Sequence, residues 1–313
     1  DFVINTPPHY WISLLAGALF PLGFAPFHLP GLSLLSLALF FLTLQSTPPR
    51  RAFQQGLLFG VAMFSLGISW IYISIHLYGH LHPLIALSLT ALFILYLALF
   101  PACAAYVCQR LAPVVPLPQA LLFSTTWLLS EYARAHLFTG FPWLLLGIAQ
   151  YDTPLQPLLP LIGIFGTGWV ACLVAAGLSY GLLSLQHWRF LSASLLLLFL
   201  PSWVIPTTWT QESGTPLSVG VIQANLSMRN KWDPNRFWGL LDHYRTQIYQ
   251  LLDQDLIVLP ESALPIPAHY LQDYLRPLQQ AVDHAHSALV VGLPSARALR
   301  PPLRYYNTLL TDV

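Results

Sequence analysis

Apolar positions follow two different patterns along the chain. Up to about Ile205 they come in near-continuous blocks, and beyond Pro216 they recur at intervals separated by charged residues. A membrane-spanning helix needs about 20 apolar residues. Blocks of roughly that length run over Tyr10–Pro26, Leu29–Gln45, Phe53–Ile75, Pro83–Cys108, Leu117–His136, Leu158–Leu185 and Phe190–Ile205, which predicts about seven spans. Pro26, Pro30 and Gly31 break the first pair, and a Pro- and Gly-rich interruption precedes the sixth.

After Thr207–Pro216, a Thr-, Ser-, Gly- and Pro-bearing linker, the pattern changes. Leu217–Gln223, Leu256–Pro260 and Ala288–Leu293 read as buried strands, and another strand begins at Arg304. Phe237, Leu240, Leu241, Tyr244, Ile248 and Leu251 fall on one helix face, begun by Asp233 as N-cap and Pro234 at the first helical position. A second helical stretch covers about Ala268–His286, with Pro277 expected to kink or restart it. The order β-α-β-α-β-β is that of the front of a layered α/β domain. The organisation expected is thus a transmembrane helical domain over 1–206, a linker over 207–216 and an α/β domain over 217–313.

Composition agrees with this division. Hydrophobic residues make up 56% of the 313 positions and charged residues 8%, which excludes an ordinary soluble globular protein. Four long stretches, Phe2–Pro49, Ala52–Gln109, Thr153–Trp188 and Phe190–Gln211, hold no Asp, Glu, Lys or Arg. Arg50, Arg51, Arg110 and Arg189 all lie in connections that fall on one side of the membrane. By the positive-inside rule that side is cytoplasmic, and seven crossings place the chain after Pro206 on the opposite side. The net charge of +1 comes without a basic, aromatic-interleaved cluster, so nucleic-acid binding is set aside. With no nucleotide-binding glycine loop, no cofactor is expected.

Candidate chemistry starts at Asp255–Ser262. An apolar, β-branched run enters Pro260 and then presents Glu261, which places a carboxylate at the carboxyl end of a buried strand. Partial desolvation there would favour a general base, and the plainer alternative is a strand-end acid in water. Glu131 and Arg134, at i and i+3 on one helix, can pair with each other and are functional candidates by their depth in the membrane, or else a structural pair closing the helix end. Thr139–Trp143, carrying Phe141, Pro142 and Trp143, reads as a rigid aromatic turn at the outer interface. His76, His80 and His82 lack an acidic or cysteine neighbour and are read as interface residues; no metal site is expected. Cys103 and Cys108 are read as buried, inert thiols.

Several stretches, in this order, resemble the apolipoprotein N-acyltransferase family: Gly67–Tyr72, Tyr96–Phe100, Glu131–Arg134, Thr139–Trp143, Lys231–Asp233, Pro260–Pro265 and Tyr306–Thr308. Ser69 stands where some relatives have Asn. The resemblance implies a bacterial inner-membrane, multi-pass enzyme with a nitrilase-like αββα sandwich domain on the periplasmic face. It implies transfer of a fatty acyl chain from a phospholipid, usually phosphatidylethanolamine, to the N-terminal α-amine of a diacylated apolipoprotein through a cysteine thioester. In the family's Glu-Lys-Cys triad Glu261 would be the general base and the lysine would stabilise the oxyanion. Trp232 would lie near the active-site entrance, or else be a helix-start aromatic packed on the sheet. Phe141, Pro142 and Trp143 would help lipid enter. Asn307 is a weaker candidate, more in keeping with a structural residue at a strand edge.

Lys231 is the only lysine and precedes Glu261, and no cysteine follows Cys172, so the resemblance leaves the triad's lysine and cysteine unmatched. A fragment, itself inactive, is expected on that ground. The other readings are a catalytically inactive membrane scaffold that keeps the fold and a polytopic transport protein with a periplasmic domain.

Overall fold

A computed structural model describes residues 9–113, 115–183, 188–206, 208–225, 233–297 and 304–311. The chain divides into two units, Asp1–Thr210 and Gln211–Val313.

The first unit is helical: α1 (Tyr10–Leu19), α2 (Pro30–Leu44), α3 (Pro49–Gly67), α4 (Trp70–Ile73), α5 (Pro83–Leu111), α6 (Pro116–His136), α7 (Leu159–Leu183) and α8 (Trp188–Val204). Proline stands in the first turn of α2, α3, α5 and α6, where its missing N–H costs no helical hydrogen bond. Helix α3 packs against α1 and α5, α6 against α5 and α7, and α2 against α1 and α7. Their shared core is aromatic. Phe40 stacks on Phe59 at 4.3 Å between ring centres, and Trp127 meets both Phe59 and Phe20 at 5.8 Å.

Each predicted apolar block contains helix, but the blocks are not equivalent. Pro83–Leu111 and Gln156–Gly181 are long and apolar enough to cross a membrane, and a bent pair, Pro49–Gly67 with Trp70–Tyr78, can be counted as a third. The expected single span Phe53–Ile75 is in fact broken, with 54° between its two halves. The break falls at Ile68 (φ −131°), next to Gly67, where a Cβ would lie 2.3 Å from Leu144 Cδ1. The Leu144 side chain lies against the backbone at that point, and the chain leaves the helix immediately afterwards.

The second unit contains a four-stranded sheet in the order β1 (Val219–Val221), β2 (Leu256–Val258), β3 (Ala288–Arg297), β4 (Arg304–Thr311). The first three strands are parallel, with Val219 opposite Leu256 and Leu256 opposite Ala288, and β4 returns antiparallel with Val291 opposite Leu310. Helices α9 (Phe237–Gln250) and α10 (Gln272–His284) supply the crossovers that parallel pairing requires. Leu240, Tyr244 and Ile248 of α9 and Leu275, Leu278 and Val282 of α10 share one core with Ile257, Leu289, Val291 and Leu293. Pro277 does not interrupt α10, contrary to expectation. It is exposed on the helix, so the carbonyl left without its donor lies toward solvent, and the break falls earlier, at Leu271.

Candidate functional site

The two groups of candidate residues lie in different units. In the helical unit, Glu131 and Arg134 on α6 are only 2% and 3% exposed. They do not form the expected ion pair. Among the described residues the ion pairs within 4.0 Å are Asp233–Arg236 and Asp242–Arg245. Both α6 side chains instead hold the segment that follows their own helix. Arg134 Nη1 donates to the carbonyls of Phe141 (2.9 Å) and Trp143, and Nη2 donates to that of Leu144 (3.4 Å). Glu131 Oε1 accepts the amide of Leu146 at 2.9 Å, and the Phe141 amide donates to the Arg134 carbonyl at 2.8 Å.

The backbone of that segment explains the arrangement. Phe138, Thr139 and Leu144 have φ of 51°, 75° and 54°, so beyond a distorted 3-10 turn at Leu137–Thr139 this stretch up to Leu144 is irregular. Its buried and part-buried carbonyls need donors from elsewhere, and a guanidinium presents several in one plane. The Arg134 cation also lies 5.3 Å from the centre of the Phe64 ring on α3. The aromatic turn thus fixed carries Phe141 and Trp143 stacked at 5.8 Å, with Phe93 of α5 edge-on to Phe141 at 5.2 Å and Trp70 against Trp143 at 5.4 Å. The structure therefore brings together Glu131, Arg134, Phe141 and Trp143, with Pro142 between the last two. It adds Phe64, Phe93 and Trp70, of which only Trp70 lies in a stretch that the sequence marks.

The histidines after α4 serve the backbone. His76 Nδ1 lies 2.8 Å from the Leu81 carbonyl, and His82 accepts the Leu84 amide (3.3 Å) at the start of α5. Cys108 and Cys172 are buried, but Cys103 is exposed, contrary to expectation. Cys108 lies five positions after Cys103, about 140° of helix rotation, which puts them on different faces of α5.

In the α/β unit, Glu261 occupies the turn that leaves β2, at the carboxyl edge of the parallel strands, the side on which open α/β sheets hold ligands. The turn is pinned to β3. The Leu259 amide donates to the Val290 carbonyl at 2.9 Å, and the Leu264 amide to that of Gly292 at 3.4 Å. A Cβ on Gly292 would come within 2.6 Å of the Pro260 carbonyl oxygen and 2.9 Å of Glu261 Cα, so only glycine permits this approach. Glu261 is an exposed residue, where a position buried beside the sheet was expected. The reason is local: Pro260 and Glu261 project from the turn, while Ala263 and Leu264 take the buried positions. Asn307, on β4, stands opposite Pro294 of β3, two positions beyond Gly292. Trp232 and Lys231 lie outside the described residues. Among the described residues no group of three His, Cys, Asp or Glu side chains could hold a metal ion.

Residues 16–177, more than half of the chain, match the family described as the apolipoprotein N-acyltransferase N-terminal domain. The chain belongs to that family. Among curated relatives, an apolipoprotein N-acyltransferase of Azotobacter vinelandii is 39% identical over 310 residues, covering 96% of this chain and 60% of its own length. That of Methylococcus capsulatus is 36% identical over 306 residues, with the same two shares. That of Coxiella burnetii is 33% identical over 292 residues, covering 90% of this chain and 59% of its own length. The chain thus spans about 60% of the length of these N-acyltransferases. The match to residues 16–177 takes in Glu131, Arg134 and the whole aromatic turn, so the loop geometry described above lies within the family's N-terminal domain.

Proposed function

We propose that this chain supplies the membrane part and the catalytic glutamate of an enzyme that moves an acyl chain from a phospholipid to the N-terminal α-amine of a diacylated lipoprotein. The observation that carries this reading is the placement of Glu261: a carboxylate on a turn at the carboxyl edge of a parallel sheet, fixed by the close approach to Gly292. Glu261 acts as general base. It takes the proton of a cysteine thiol as the sulfur attacks the phospholipid ester, and returns it to the departing lysophospholipid oxygen. It then takes a proton from the acceptor amine as that nitrogen attacks the thioester, and returns it to the sulfur. A lysine stabilises the oxyanion in each step.

In this reading all seven apolar blocks cross the bacterial inner membrane, residues 207–216 link the domains, and residues 217–313 contribute to a nitrilase-like sandwich on the periplasmic face. Phosphatidylethanolamine is the acyl donor, and Trp232, Phe141, Pro142 and Trp143 line the lipid's way in. Glu131 and Arg134 support that path by holding the aromatic turn, and Asn307 is a contact at the sheet edge. The three cysteines all lie in the helical unit, and the sole lysine precedes Glu261. These 313 residues alone are therefore expected not to turn over. The test uses a full-length protein carrying this sequence, with a diacylated lipopeptide as acceptor: Glu261→Gln abolishes acyl transfer while membrane insertion is unchanged. Acylation at the unaltered rate would remove Glu261 from the role of base.

A further inference from the structure

Two apolar grooves meet on the outer face of α5. One, of about 420 Å³, lies between α5 and α6 and is lined by residues including Tyr96, Leu99, Phe100, Leu129 and Ala133. The other, of about 520 Å³, lies between α3 and α5 and is lined by Phe53, Tyr106, Arg50 and Gln54. Cys103 and Val107 line both, so the grooves adjoin along one ridge of α5. Each is of a size that takes a small-molecule ligand, about 300–1,000 Å³. Thr126, a hydroxyl-bearing residue of the first wall, donates to the Phe123 carbonyl of its own helix and makes no demand on an occupant.

One end of this surface is cationic, with no ion-paired counter-charge among the described residues. Arg50 opens into the second groove, and Arg110 stands one turn beyond Tyr106 on α5. No carboxylate occurs between Phe2 and Gln109, and among the described residues neither arginine forms an ion pair. At the same rim Gln54 Oε1 accepts the Tyr10 hydroxyl at 2.6 Å, which leaves its amide N–H groups as donors.

We propose that these grooves hold one phospholipid with an anionic headgroup. Its phosphate sits against Arg50 and Gln54, and its two acyl chains lie on either side of Cys103. Charge complementarity selects the headgroup, and the apolar walls take the chains. The site is independent of Glu261 and of acyl transfer.

The purified chain is incubated in detergent with equal amounts of dioleoyl phosphatidylglycerol and dioleoyl phosphatidylcholine, and retained lipid is counted by native mass spectrometry. One phosphatidylglycerol should be retained in preference. Arg50→Gln should cut that preference roughly five-fold, the effect of about one basic residue at an anionic lipid surface. Cys103→Trp, at an exposed position, should fill the junction and reduce retention of both lipids. Phosphatidylglycerol should also slow labelling of Cys103 by an alkyl maleimide in the unaltered protein. Equal retention of the two lipids, an undiminished preference in Arg50→Gln, or an equal fall with the neighbouring Arg51→Gln would overturn the site, the last by showing a diffuse surface attraction.

Discussion

Replacing Arg134 by alanine tests the central claim about the helical unit, that one buried cation holds the aromatic turn. The substitution removes donors from the carbonyls of Phe141, Trp143 and Leu144 and leaves the Glu131 carboxylate without a nearby positive charge. A hydrogen bond to a charged group contributes about 1.5–3 kcal/mol, and the 3.4 Å contact to Leu144 adds little. The two stronger bonds therefore give an expected loss of about 3–6 kcal/mol, close to the roughly 3–5 kcal/mol of other broken buried charge pairs. Arg134→Lys should fall between, because an ammonium cannot span the same carbonyls as a planar fork. The assay is equilibrium unfolding of the purified protein in mixed micelles of increasing denaturing-detergent content, followed by helical ellipticity. Limited proteolysis should also open the 137–150 segment in the variant. A loss below about 1 kcal/mol, with the segment still protected, would refute the reasoning.

The α/β unit gives three further tests. Gly292→Ala should push the Pro260–Ser262 turn off β3, costing about 1–3 kcal/mol and lowering the activity of a full-length protein, which a lipopeptide acylation assay reads directly. Burial holds the Tyr274 phenol above its ordinary range, and its hydroxyl donates to the Leu241 carbonyl at 2.7 Å. The unfolded chain then ionises first, so this contribution is intact below about pH 10 and falls as pH rises from there. Tyr274→Phe should cost about 0.5–1.5 kcal/mol near neutrality and flatten the alkaline decline in a denaturant-unfolding series. The Ser218 amide and hydroxyl both donate to Asp255 Oδ2 (2.7 and 2.8 Å) and lower its pKa. That stabilisation is present above about pH 4 and lost as pH falls through the folded value, so Ser218→Ala should weaken the acid-side loss in the same measurement.

The helices and strands were largely legible because their signals are local: block length for the apolar helices and period for α9. The start expected for α9 was early: Asp233 and Pro234 open a separate 3-10 turn, Pro234–Arg236, and α9 begins at Phe237 with Arg236 at its N-cap. What the sequence hid depends on contacts between segments distant along the chain. The bend after Gly67 lies against Leu144, far along the chain, and the turn that carries Glu261 is set by its close approach to Gly292. Glu131 and Arg134 were correctly marked as unusual by their depth in an apolar stretch. Their spacing suggested a pair, yet the stronger claim on both came from a backbone segment whose irregular φ values no residue pattern announces. Cys103 shows the reverse case, since helical spacing alone could have separated it from Cys108.

Because Arg134 and Glu131 grip the backbone of the aromatic turn and not its side chains, the turn has no independent hinge. Phe141 and Trp143 are carried by α6 much as residues of the helix itself are. Amide hydrogens at Phe141 and Leu146 are therefore expected to exchange together with those of that helix, although they sit in a loop. In the proposed lipid path, room for a bulky apolar guest at this end is expected to open from the facing side, where Trp70 follows the kink at Ile68 and Phe93 rides on α5. The clamp makes one wall of the cluster stationary and leaves adjustment to the other.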